Sequence, residues 1–217
     1  MRLCQLVSPA LPIGAFHFSQ GLEYAVEAGW VRDEDGAAAW IGGVAAQAIA
    51  TLDLPLLLRL HAAWSTGDAA AARRCSQRLL AARETAELRA EDRHMGRALA
   101  RVLGELGFAE AAHWSGSADA SFAALFALAA VRWNIPPQQA ACGYLWAWCE
   151  NQVLAAVKLV PLGQSAGQRL LDRLLQGIPA LAAAAASIAD EDIGVATPMQ
   201  GLASARHEGQ YSRLFRS

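Results

Sequence analysis

The chain has 217 residues, of which 54% are hydrophobic and 18% charged, so it is long enough for one sizeable domain and too apolar to be disordered as a whole. A formal charge of −2 gives no general pull toward nucleic acid or an anionic membrane, and any such partner would need a local basic patch. The scattered residues Cys4, Cys75, Cys142 and Cys149 form no CxxC pair; they read as core residues of a cytoplasmic protein.

The opening MRLCQLVSPALPIG has too short an apolar run for a signal peptide. Pro9, Pro12 and Gly14 predict an extended segment over residues 1–18, packed on the body through Leu6, Leu11, Ile13, Phe16 and Phe18. Ser19 is placed to cap a helix over 20–28, stopped by Gly29. Asp33 or Asp35 opens a second helix with Trp40, Ile41, Val44 and Ile49 at helical spacing. Asp53 followed by Pro55 predicts a fresh helix start, and Asp68 begins a long polar helix in which Leu88, Met95, Leu99, Val102 and Leu106 make one apolar face.

Arg89, Arg93, Arg97 and Arg101 recur every four residues beside that face. They make either a phosphate or acidic-partner surface or a solvated stripe neutralised by Glu84, Glu87, Glu91 and Asp92. The run His113 to Asp119 reads as a loop, and residues 120–133 as a buried helix. The stretch from Pro136 to Val160 then predicts one long helix, with prolines suited to its first turn and apolar side chains nearly all round. Such a helix belongs inside a bundle. Pro161 breaks it; Ser165 and Gln168 match a capping box for the next helix, and an alanine-rich helix follows Pro179. Other apolar stretches are interrupted by Pro, Gln or Asn and fall short of a membrane span.

The predicted architecture is all-α, a single-domain helical bundle over residues 1–189 around the long central helix, with a flexible C-terminal tail over 190–217. In that tail Tyr211, Leu214 and Phe215 lie at i, i+3, i+4 among Arg206, Arg213 and Arg216. Apolar anchors interleaved with arginines suit a segment that orders on a partner; the alternative is that it folds back onto its own chain. Lys158, a cation in the latter part of an apolar helix, either snorkels or marks a docking point.

Catalytic motifs are scarce: PLGQSAGQ lacks the lysine and strand of a phosphate loop, and neither GxSxG nor HExxH occurs. Glu91 and His94 share a helix face, which supports a second functional class, a helical metal-dependent hydrolase; two ligands do not make a tight site. Trp146 and Trp148 read as core rather than as a stacking platform.

Taken together, SPALPIGAFHFSQGLEYAVEAG, RETAELRAEDRHMGRAL, YLWAWCEN with AAVKLVPLGQSAGQRLL, and RHEGQYSRLFRS resemble the urease accessory protein UreF family over nearly the whole length. At His17 the chain departs from the small hydroxyl residue more usual in that family. The resemblance implies an all-α homodimer, without catalysis or a tightly bound cofactor of its own, that takes part in maturing the nickel centre of urease. It implies binding to UreD (also called UreH), recruitment of the nickel-carrying GTPase UreG, and contact with urease apoprotein through the complex, with no nucleic acid and no membrane. The expected UreD contact comprises Arg206, His207, Tyr211, Arg213, Leu214, Phe215 and Arg216, and a separate UreG surface is expected near Tyr144 and Lys158.

Overall fold

The computed structural model describes residues 1–217, which form helices and turns without a strand. The first segment is less extended than the prolines suggest. Arg2–Leu6 forms a short helix (α1) because the prolines lie beyond it, and Ala15–His17 makes a 3₁₀ turn. Leu6, Ile13 and Phe18 are buried while Phe16 is 54% exposed. Helix α2 (Leu22–Glu27) is shorter than predicted, with Gly21 rather than Ser19 at its cap position. The Ser19 hydroxyl still accepts from the Glu23 amide while donating to the main-chain oxygen of Ser217.

Asp33 caps α3 (Glu34–Val44), its carboxylate accepting from the Gly36 amide at 2.8 Å. The start predicted at Asp53 is not found: a π-helical segment, Ala45–Asp53, carries the chain straight into α4 (Leu54–Ser65) as one 32-residue rod. The change of register falls just before Pro55, where a missing N–H would otherwise interrupt the ladder. This rod contains a window long and apolar enough to cross a membrane, but 67% of that window is buried in the body.

The single helix predicted from Asp68 onward is two. Helix α5 (Ala69–Ala82) stops at Arg83, and the Thr85 hydroxyl accepts from the Leu88 amide to start α6 (Ala86–Glu105). After a short α7 (Ala109–Ala112), helix α8 (Phe122–Arg132) fills the centre, with every residue from Ala123 to Ala130 at most 1% exposed. Close approach of α6 to the start of α8 depends on Gly96, where a Cβ would lie 2.3 Å from the Ala120 carbonyl oxygen.

Helix α9 (Pro137–Leu159) is the long helix expected. It packs against α2, α3, α4 and α8, and against α10 (Gln164–Leu175) and α11 (Ile178–Ala186). Its burial is one-sided in the second half, where Leu154 is 43% exposed. The predicted capping box fails: α10 starts at Gly163 without a side-chain cap. Two apolar clusters result, a large one around Leu57, Leu99 and Phe126 and a smaller one joining Leu22, Ile41, Val153, Val160 and Leu170 with Phe215.

In the structure, residues 190–217 follow the fold-back alternative. Helix α12 (Pro198–His207) lies on α2 and α6, and the remaining residues return to the body, with His207, Phe215 and Ser217 buried.

Candidate protein-interaction site

Two buried polar groups organise the end of the bundle where the chain terminus docks. Asp53 sits in an apolar run, TLDLPLLL, and a carboxylate there must be paired or neutralised. Its partner is Arg83, at the break between α5 and α6, whose guanidinium donates to Asp53 at 2.6 and 3.0 Å and to Asp92 at 2.9 Å. Asp92 also accepts from the Phe122 amide at 2.7 Å, tying the start of α8 to the same cation. The Tyr144 hydroxyl donates to Asp53 at 3.0 Å.

Burial works against the Arg83 charge, but Asp53 and Asp92 more than offset it and hold its pKa well above the ordinary value. Burial and the nearby Asp53 charge push the Tyr144 phenol well up. Burial raises Asp92 too, against the pull of Arg83. A narrow cleft of about 110 Å³ lies beneath the Leu6–Ile13 segment, floored by these groups.

The second group clasps the C-terminal segment. Both ring nitrogens of the fully buried His207 face carboxylates, Nδ1 to Glu87 at 2.8 Å and Nε2 to Glu23 at 3.2 Å. Glu23 accepts from the amides of Leu214 at 2.6 Å and Phe215 at 2.8 Å, and Glu87 accepts from Arg213 at 2.8 Å. Glu91 accepts from the Ser217 hydroxyl and from Gln20, both at 2.7 Å; Gln20 in turn accepts from the Trp148 indole. Burial lifts the Glu91 carboxyl to about 7, although the Ser217 and Gln20 bonds act to lower it.

This arrangement sorts the residues singled out in the sequence. His207 and Phe215 are buried anchors that hold the segment to its own body, whereas Arg206, Tyr211, Arg213, Leu214 and Arg216 are exposed. Tyr211 is fully exposed and Leu214 is 65% exposed, beside a helix α12 that also presents Met199 and Leu202. Tyr144 is 6% exposed and spent on Asp53, so it presents nothing to a partner. Lys158 is exposed, but its ammonium lies 5.6 Å from the centre of the Phe215 ring. It therefore borders the C-terminal segment rather than a separate surface.

Three members of the arginine stripe are tied to main-chain carbonyls, so it is neither a free basic face nor the ion-paired stripe described above; the fourth, Arg101, is exposed. Arg89 donates to the carbonyls of Leu80 and Arg83, Arg93 to Ala118 and Arg97 to Ser117. The Glu91 and His94 pair also separates, Glu91 pointing inward to Gln20 and Ser217 while His94 is exposed. Nowhere do three or more metal-ligating side chains gather. Cys149 is a buried thiol pushed up to about 12 by its surroundings.

The pairing roles of Asp53, Arg83, Glu23 and Glu87 are not assigned by the sequence pattern alone. Signals were present: a lone aspartate between leucines, and Glu87 and Glu91 one helical turn apart on the face that receives the chain end.

A helical body with its buried ionisable groups paired internally, and an apolar and basic terminal segment displayed on one side, suits a protein that works through its surface. The UreF family model matches residues 31–175. Over this whole chain, the protein is 56% identical to the urease accessory protein UreF of Alkalilimnicola ehrlichii and 51% identical to that of Azoarcus sp., covering 95% of each. It is 45% identical to that of Hahella chejuensis, covering 97%. The chain belongs to the UreF family, whose members are accessory proteins and not catalytic enzymes.

Proposed function

We propose that this chain is a cytoplasmic adaptor in the maturation of the nickel centre of urease, binding UreD/UreH through its C-terminal segment and recruiting or regulating UreG. The observation that carries the reading is the division within that segment. His207 and Phe215 fix its path from inside, Arg213 is tied to Glu87 while staying partly exposed, and Arg206, Tyr211, Leu214 and Arg216 are exposed. Exposed aromatic, leucine and arginine side chains on a rigid support are the residue types that anchor protein interfaces. Lys158, the residue assigned to UreG in this reading, lies beside Phe215, which supports a UreG contact next to the UreD contact. The homodimer is carried by the family resemblance. Nickel is cargo passed within the complex.

The test is replacement of the native gene in a urease-producing bacterium that lacks its own UreF. Expression of this chain is expected to restore nickel-loaded, active urease. Fully nickel-loaded urease in cells lacking any such protein would contradict the role.

A further inference from the structure

The departure at His17 acquires a geometric meaning in the fold. Gly14, with φ +76°, starts the 3₁₀ turn that carries His17, and the His17 amide donates to the Gly14 carbonyl at 3.1 Å. His94 stands on α6, and its ring meets Phe18 edge-on at 5.8 Å between centroids, while the His17 ring lies 3.9 Å from that of Phe16. Both imidazoles thus sit on folded supports. Nδ1 of His17 and Nε2 of His94 each lie 3.4 Å from the point that a Cβ on Gly14 would occupy. Both nitrogens border that point, so they are no more than twice that distance apart.

His61 and His207 have their ring nitrogens engaged in hydrogen bonds. Nδ1 of His17 and Nε2 of His94 have no such partner, and both residues are exposed. Two imidazoles bound to one ion at roughly 2.0–2.1 Å hold their nitrogens about 3–4 Å apart, a spacing that small side-chain rotations over Gly14 can reach. The left-handed backbone at that position favours glycine.

We infer that His17 and His94 form an open two-imidazole site for a borderline divalent transition-metal ion of the nickel and zinc class. Neutral imidazole selects such ions over magnesium or calcium, which take oxygen ligands. With no third protein ligand gathered nearby, water fills the remaining positions and the ion stays exchangeable. Arg216 and Arg101 lie close enough to act on the His94 ring electrostatically, and their charge further weakens cation binding. The inference stands apart from the adaptor reading, since it needs no partner.

The experiment is calorimetric titration of the purified full chain with Ni²⁺ or Zn²⁺ alone, with Mg²⁺ as control, repeated on His17→Ser, His94→Gln and the double variant. One Ni²⁺ or Zn²⁺ per chain is expected, with no Mg²⁺ uptake. Each single change should weaken binding about tenfold or more, since even loss of an outer partner costs about ten- to a hundredfold, and the double variant should lose the site without a change in melting temperature. Imidazole NMR provides a second readout: substoichiometric Ni²⁺ should broaden the His17 and His94 signals first. Unchanged binding by the double variant, or first broadening at His61 or His113, would overturn the assignment.

Discussion

Two clusters of buried carboxylates lie close together in this protein and do different jobs. In one, Asp53 and Asp92 flank Arg83, and all three are fixed in the helical body, joining the long rod, the break before α6 and the start of α8. In the other, Glu23, Glu87 and Glu91 receive His207, Arg213, Ser217 and two main-chain amides from the last residues of the chain. The first contains a cation that never gives up its proton and cannot open without dismantling the fold. The second holds a terminal segment with a few hydrogen bonds, so the cost of opening it is local. The difference separates what keeps the protein folded from what sets the geometry of its interaction surface.

The sharpest way to break that comparison is Arg83→Met, which leaves Asp53 and Asp92 buried without their cation. Removing one partner of a buried charge pair costs about 3–5 kcal/mol, so urea unfolding should show most of the stability lost. A loss no greater than that of a surface substitution would show that the first cluster is not the structural knot.

Glu23→Ala attacks the clasp. It removes the acceptor for the Leu214 and Phe215 amides and one partner of His207, and charge-assisted bonds of this kind contribute about 1.5–3 kcal/mol each. The expected result is rapid trypsin cleavage at Arg213 and Arg216 with the helical body still folded, visible as an unchanged circular dichroism spectrum. If the body unfolds together with the terminal segment, the two clusters are one cooperative unit.

The smallest effect is expected from Glu91→Gln. Glu91 titrates near 7 in the folded chain against an ordinary value of 4.5, so the folded state holds its proton more tightly than the unfolded one. Its contribution is most favourable below about 4.5 and is lost as pH rises toward 7 and above. Glutamine abolishes this titration, so the melting temperature of the variant relative to the original chain should rise between pH 5 and 8, tempered by an amide-to-amide contact with Gln20. A difference that is flat with pH would show that Glu91 does not titrate in this window.

Much of the scaffold was legible locally. The Pro136 to Val160 stretch announced α9, and Asp33 and Asp68 cap helices where their positions suggested. What escaped depended on partners distant along the chain. Asp53 looked like a cap because Pro55 follows it, yet its role is decided by Arg83 and Tyr144, 30 and 91 residues away. The sequence predicts a flexible tail over 190–217, whereas the path of its end is fixed by Glu23, 191 residues before Leu214. The outward residues Tyr211 and Leu214 were visible as an amphipathic cluster; the inward role of His207 and Phe215 was not, since spacing alone does not say which member of a cluster faces the body.

The most direct test of the adaptor account is capture of this chain by immobilised UreD, comparing the original sequence with Tyr211→Ala/Leu214→Ala. Both side chains are exposed, so the fold and melting temperature should be unchanged while capture falls about tenfold or more, each 1.4 kcal/mol of lost contact counting for a factor of about ten. Undiminished capture by the folded double variant would contradict the claim that this surface grips the partner.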